Sequence, residues 1–371
     1  MRIVVDYRPA VSVRTGVGEY IHQVVRALTA TTGDEIVAFT SSWKGRPAAG
    51  LAAHLGARVV DRRIPVRLLN YLWHRWEWPP VDRIVGAVDV AHSSHPLLMP
   101  VRRAAQVVTI HDLFFLDHPE STSDEIRRDY PSLVAGHARR AHAVITSTQY
   151  GKQQVVSRLG VAPAAVHVCP AGAPSWTSLG NAPNIPKDGC VLFLGTLEAR
   201  KNVGALLDAY ASLLNRGVSM PSLVLAGRAT SSAAAWLARL ARPPLAGHVT
   251  HVGYVADDVR ETLFRSARLL VIPSLDEGFG LPALEAMSAG IPVVASNRGS
   301  LPEVLGPAGA LVDPTDMTAL SAAIERGIKD DDWARSAAQA GLDRARRFRW
   351  ADSAAALRLA YVSAVERHRA Q

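Results

Sequence analysis

The chain has 371 residues, 48% of them hydrophobic, and a net charge of +8 at pH 7. That length and apolar content suit two domains of ordinary size with large cores and exclude a disordered protein. No apolar run approaches the ~18 uninterrupted residues of a membrane span, and the two cysteines, Cys169 and Cys190, carry no metal spacing and read as buried or incidental thiols in a reducing compartment.

The opening MRIVVDYRPA is charged too soon for a signal peptide and reads as a first strand over 2–6. Further strands are expected over 35–39, 89–92, 105–111, 143–147 and 166–169, with a helix over 20–29. The stretch 171–188 is rich in Pro, Gly, Ser and Asn, lacks periodicity and is the natural linker. Beyond it, strands are expected over 189–195, 222–227, 249–252, 269–273, 292–295 and 310–312. Helices are expected over 203–214, 259–266, 282–289, 318–329 and 333–346. In the last segment Ala354, Leu357, Tyr361 and Val365 recur at helical spacing. Strands alternating with helices imply parallel sheets covered on both faces. The expected fold class is therefore α/β, with two doubly wound, Rossmann-like domains facing a central cleft. Their expected bounds are 1–170 and 189–349, with a terminal helix over 350–371 packing back across the domains.

The segment 274–287, SLDEGFGLPALEAM, is the most informative. It follows an apolar run closed by Pro273, carries Pro282 in its first helical turn, and ends before Gly290. The unit is strand, glycine loop, helix, with Glu277 in the loop and Glu285 about two turns into the helix. Free amides at a helix start favour an anion, and Gly278 and Gly280 let a ligand approach the backbone. Carboxylates placed this way can accept hydrogen bonds from the hydroxyls of a sugar and of a ribose. The spacing fits nucleotide-sugar binding and equally fits a structural turn. It is neither G-x-G-x-x-G nor a P-loop, which argues against a dinucleotide enzyme or an ATPase.

Several segments in order now resemble one family. They are GTLEARKN over 195–202, the VGYV run over 252–255, EGFGLPALEAMSAGIPVVASNRGSLPEV over 277–304, and LVDP over 311–314. Together they resemble the retaining glycosyltransferases of family 4, which have the GT-B fold, and the GTLEARKN and EGFGLPALEAM pair resembles mannosyltransferases. The resemblance implies that Glu277 contacts the donor sugar and Glu285 the nucleoside ribose. It assigns Phe279, Gly280 and Leu281 to the loop whose amides bind sugar and diphosphate. It assigns Lys201, with Arg200 as helper, to neutralising the diphosphate. Thr196 departs from the arginine that many members carry there. In the first half, Gly16 and Gly18 of RTGVG match a glycine loop near acceptor and phosphates. His111, at the end of its strand, matches a histidine that contacts the transferred sugar. Gly227, Arg228 and Tyr254 fall where the base is read.

The resemblance implies transfer of a hexose, with mannose from GDP-mannose as the first choice among GDP-, UDP- and dTDP-sugars. The acceptor would be a hydroxyl of a glycan or lipid-linked acceptor. No metal and no cofactor are expected, because the helix start and the cations would stabilise the leaving phosphate. Two alternatives share the architecture: a nucleotide-sugar epimerase and a non-catalytic nucleotide-sugar binder.

The charge excess lies in the first half: residues 1–180 hold 20 Lys+Arg against 14 Asp+Glu, residues 181–371 hold 21 against 19. No zinc finger, RNP-like motif or long basic run supports nucleic acid as a partner. Residues 62–80, RRIPVRLLNYLWHRWEWPP, join arginines to Tyr71, Trp73, Trp76 and Trp78. This composition suits either a helix packed on the first domain or a peripheral contact with anionic membrane. The expected place is the cytoplasm, with such a contact at the inner face of the plasma membrane.

Overall fold

The computed structural model describes residues 1–371 apart from 12, 13, 15, 44, 120, 121, 123, 175, 177–181 and 371, and apart from the side chain of residue 125. The chain divides into two compact units, Met1–Gly172 with Arg349–Gln371, and Ala173–Phe348. Within the expected linker 171–188, residues 175 and 177–181 lie outside the described residues, as do residue 15 of the RTGVG segment and residue 371 of the terminal helix.

The first unit holds β1 (Arg2–Asp6), β2 (Glu35–Ser41), β3 (Arg58–Arg62), β4 (Val90–Ser93), β5 (Ala105–Thr109), β6 (Ala143–Thr146) and β7 (Val166–Val168). They pair in the order β3-β2-β1-β4-β5-β6-β7. The second unit holds β8 (Cys190–Leu194), β9 (Leu223–Ala226), β10 (Val249–Gly253), β11 (Ala267–Ile272), β12 (Val293–Ser296) and β13 (Ala310–Val312), in the order β10-β9-β8-β11-β12-β13. Every strand pairing among the described residues is parallel. Central strands such as β4, β6, β11 and β12 are buried along their whole length, which is why they read as unbroken apolar runs.

In each sheet the strand order reverses once, between β1 and β4 and between β8 and β11. Such switch points leave a crevice beyond the carboxyl ends of the two strands, where open α/β sheets bind ligands. In the second unit the segments that leave those ends are 195–202 and 273–280.

Some elements differ from the expectation. Strand β3 was not anticipated, because it is an edge strand whose sequence, RVVDR, is charged at both ends and nowhere fully buried. The helix expected to begin at Tyr20 begins at Gly16, so Gly16 and Gly18 lie in its first turn rather than in a preceding loop. A side chain at Gly18 would meet the Pro9 carbonyl at 2.8 Å, so glycine there lets the helix sit against the turn after β1. The strand expected to run to His111 ends at Thr109. A helix over Asp124–Arg140 went unread because its polar sequence carries an internal Pro131. The helix Gln149–Leu159 also went unread, although Thr148 caps its start, accepting the Gly151 amide at 3.0 Å, and the left-handed Gly160 ends it.

The terminal helix Trp350–Ala370 belongs to the first unit, where it packs on the helix Gly16–Thr31 and on β5 and β6. Ala354, Leu357, Ala360, Tyr361 and Ala364 form its buried face. Tyr361 reaches His92 Nδ1 at 2.8 Å, Arg358 pairs with Asp34, and Ser353 donates to the Pro170 carbonyl. Cys169 and Cys190 are free and buried, and burial pushes the Cys169 thiol up to about 12. Among the described residues no helix is long and apolar enough to cross a membrane.

Candidate active site

The second unit's site begins at the carboxyl end of β8. The chain turns through Gly195 into a short 3-10 segment, Ala199–Lys201, and Asn202 takes a left-handed conformation before the helix Val203–Asn215. On the neighbouring strand, β11 leads through Pro273 to the loop that carries Glu277. The two loops are tied by a backbone hydrogen bond from Leu275 to the Arg200 carbonyl at 2.8 Å. The Glu277 carbonyl in turn accepts the Ser300 amide at 3.1 Å.

This frame brings Glu277, Lys201 and Arg200 together. Lys201 Nζ lies 2.5 Å from Glu277 Oε1, the Ser274 hydroxyl donates to the same oxygen at 2.8 Å, and Arg200 approaches Oε2 at 3.5 Å. Arg200 also donates to Glu198 at 3.1 Å and to the Asp276 carbonyl at 3.3 Å. Two cations therefore face two carboxylates. Glu277 is only 5% exposed. Burial works to raise its pKa, but Lys201 and then Arg200 outweigh it and hold the carboxyl below the ordinary glutamate value. Glu277 is thus a fixed anion that gathers the two basic side chains at one point.

Gly280 begins the helix Leu281–Ser288 at φ +92, and a side chain there would meet Leu301 at 2.6 Å. The backbone needs glycine at this turn, which sets Phe279, Gly280 and Leu281 at the helix start beside the Glu277 cluster. The Phe279 ring is buried edge-on against Phe348 at 5.9 Å, so the side chain anchors the loop while its backbone borders the site. Pro282 occupies the first turn, where a missing amide costs no helical hydrogen bond.

Glu285 lies farther along this helix, 5% exposed, and pairs with Arg260 of the helix Asp257–Ser266. Sequence reading missed Arg260, because nothing local links positions 25 residues apart on two helices. It also missed Ser274 and His251. The His251 ring, near the end of β10, meets the Gly227 carbonyl at 2.8 Å. Gly227 donates its amide to the Gly253 carbonyl at 2.7 Å, which joins the turns after β9 and β10. Arg228 lies over the Tyr254 ring, 5.5 Å from its centroid, and that ring is half exposed. A planar cation on an exposed aromatic ring makes a flat platform suited to stacking.

In the first unit, His111 follows the end of β5. Its Nε2 lies 3.3 Å from the Ser94 carbonyl, and its ring meets Tyr20 edge-on at 5.4 Å. Burial lowers its pKa, with Asp112 pulling the other way, and the net direction is down. The ring is neutral at pH 7, and with a carbonyl as partner Nε2 carries the proton. Asp112 accepts the Phe114 amide at 3.2 Å. Gly16 and Gly18, in the helix that also carries Tyr20, complete the first-unit positions.

The aromatic segment splits in two. Trp73, on the helix Val66–Trp76, is 1% exposed and belongs to the core, where its Nε1 donates to the Pro79 carbonyl at 2.9 Å. Leu68, Tyr71, Trp76 and Trp78 are exposed, Trp76 at 68%, beside exposed Arg67 and Arg75.

Comparisons with known proteins match both units. Residues 188–330 match the family described as Glycosyl transferases group 1, and residues 14–174 match Glycosyltransferase Family 4. The chain is 34% identical over 274 residues to the O-antigen chain mannosyltransferase B of Escherichia coli, covering 71% of each chain. It is 29% identical over 292 residues to the serotype-specific mannosyltransferase WbdA of Escherichia coli, covering 74% of this chain and 36% of that one, so it spans about a third of that relative. Among solved structures, HepE of Anabaena in complex with UDP and glucose superposes with a TM-score of 0.71 at 19% identity, covering 97% and 98% of the two chains.

Proposed function

The chain belongs to glycosyltransferase family 4, a hexosyltransferase with the GT-B fold, and from that premise we propose that it moves mannose from GDP-mannose onto a hydroxyl of a glycan or lipid-linked acceptor with retention at the anomeric carbon. The observation that carries this reading is the cluster of Glu277, Lys201 and Arg200 at the carboxyl ends of two adjacent strands, beside a glycine-led helix start. The choice of mannose rests on the relatives, whose names are mannosyltransferases. A nucleoside diphosphate donor is also supported by the UDP in the structural neighbour, though at 19% identity that neighbour speaks to the fold and not to the base.

In this reading the bond from the sugar anomeric carbon to the diphosphate breaks while a bond to the acceptor oxygen forms on the same face. The acceptor proton passes to the departing phosphate. Negative charge grows on the diphosphate, and Lys201, Arg200 and the amides of Phe279, Gly280 and Leu281 are placed to stabilise it. Glu277 accepts hydrogen bonds from the sugar, and its charge holds Lys201 and Arg200 in place. Glu285 accepts the ribose hydroxyls. Tyr254 and Arg228 offer the base a stacking face beside the Gly227 turn. His111, neutral, serves the transferred hexose as a hydrogen-bonding group and not as a cation. Gly16 and Gly18 set the helix start assigned to the acceptor and phosphate side. Leu68, Tyr71, Trp76 and Trp78 with their arginines supply a peripheral contact with anionic lipid, suited to a lipid-linked acceptor in the cytoplasm.

A thermal-shift screen against GDP-mannose, UDP-glucose, UDP-galactose and dTDP-sugars tests the donor. GDP-mannose is expected to raise the melting temperature most. No shift with any nucleotide sugar would overturn the reading.

A further inference from the structure

Glu277 and Glu285 have different cationic partners, which come from different places. Lys201 and Arg200 follow β8 and face Glu277. Arg260 lies in the first turns of the helix that follows β10, where its amide donates to the Ala256 carbonyl at 2.8 Å. Only six positions separate it from Tyr254, so one short segment carries both the base platform and the partner of Glu285. The Arg260 and Glu285 side chains are 17% and 7% exposed. A carboxylate buried to that degree needs a counter-charge to remain an anion at modest cost. Arg260 meets Glu285 through one guanidinium nitrogen and the Oε1 oxygen; a guanidinium is planar and directional, which limits how the carboxylate can turn, whereas an ammonium fixes only a distance.

We propose that Arg260 is a positioning residue for the ribose: through Oε1 it holds the Glu285 carboxylate in one orientation, so that the carboxylate meets the ribose hydroxyls. The inference rests on the nucleotide-sugar reading and adds to it the group that makes the second glutamate selective. Arg260 acts through Glu285 and touches neither the diphosphate nor the sugar. It therefore sets affinity for the nucleoside and leaves the transfer step alone. In the proposed reading Lys201, which also pairs with Glu277, shares its charge with the leaving group, whereas Arg260 acts on Glu285.

The test is calorimetric binding of GDP and of 2′,3′-dideoxy-GDP to the full chain, with UDP and its dideoxy analogue as a parallel pair. Wild type is expected to prefer the ribonucleotide about tenfold or more, the scale of hydrogen bonds to a charged acceptor. Arg260→Ala is expected to lose that preference while binding the dideoxy nucleotide as wild type does. Arg260→Lys, which keeps the charge without the directional guanidinium, is expected to recover part of it, and thermal melts of both variants confirm folding. Combining Arg260→Ala with Glu285→Gln is expected to cost no more than either change alone, as for two groups acting as one unit. An Arg260→Ala protein that keeps its ribose preference overturns the inference. So does equal weakening of both nucleotides, which would mean that Arg260 meets the phosphates or only supports the fold. Should Arg260→Ala fail to fold, the same comparison on Arg260→Lys decides, and an undiminished ribose preference in it overturns the inference. A wild type that binds neither GDP nor UDP overturns the nucleotide-sugar reading and the inference with it; one that binds without preferring ribose overturns the inference alone.

Discussion

Eleven of the 13 histidines lie in the first unit and two, His248 and His251, in the second. In the first unit His22, His74, His92 and His137 are buried, and burial lowers them to about 4, 4, 3 and 4. Their partners are mostly neutral: His22 meets the Tyr7 hydroxyl at 2.7 Å, His92 meets Thr109 at 2.7 Å, and His137 accepts the Leu98 amide at 2.9 Å. In the second unit two buried glutamates are ion-paired, Glu277 with Lys201 and Glu285 with Arg260, as Asp6 at the end of β1 is with Arg8 in the first. Neutral imidazoles hydrogen-bond without attracting a diphosphate, whereas gathered cations and a helix start attract one strongly. The contrast is between a unit rich in buried neutral histidines and a unit whose buried glutamates gather cations.

The largest effect expected from this contrast is acid lability confined to the first unit. Its histidines have folded pKa values below the unfolded 6.5, so between the two values the unfolded chain holds more protons. Their contribution to stability is whole above 6.5 and is lost as pH falls towards 4 and 3, at up to ~1.4 kcal/mol per pH unit for each histidine. Glu277 has a lowered pKa, so its contribution is present above the ordinary 4.5 and fades only as pH falls below that. Hydrogen exchange at pH 7.5 and pH 5 should show the first unit losing protection while the second keeps it. Equal loss in both units would break the comparison.

Next in size is Lys201→Ala, expected to lower kcat by on the order of 10²-fold, the scale for one group that stabilises charge in the transition state. Near-normal turnover would remove Lys201 from the leaving-group site. A smaller effect is expected for Glu285→Ala: about a tenfold rise in donor KM with kcat changed by less than about twofold, because ribose contacts differ little between ground and transition states. An equal fall in kcat would instead place Glu285 at the reacting centre. The smallest effect is expected for Trp76→Ala with Trp78→Ala, which should weaken co-sedimentation with anionic vesicles several-fold without altering transfer to a soluble acceptor. Unchanged sedimentation, or none in wild type, would confine those side chains to the protein's own surface.

The sequence announced what is local and buried. Strands such as β11 and β12 are covered on both faces, so their residues must be apolar, and the pattern stands out. The segment around Glu277 was legible for a related reason, since strand end, glycine turn and helix start follow one another within fifteen residues. Strand β3 was hidden because an edge strand tolerates charge. The start of the first helix was misplaced because Gly16 and Gly18 resemble a loop, although Gly18 is small only to clear Pro9. Arg260 was hidden because its partner is brought to it by the packing of two helices. The histidine network was hidden for the same reason: Tyr361 and His92 are 269 residues apart and 2.8 Å from each other.

The central claim is a transfer in which Lys201 and Arg200 receive the diphosphate and the hexose keeps its anomeric configuration. The most direct measurement is proton NMR of the product formed from GDP-α-mannose and a mannosyl acceptor. The account predicts an α-linked mannose, formed in wild type and reduced on the order of 10²-fold in Lys201→Ala. A β-linked product, or α-linked product formed equally well without Lys201, would contradict it.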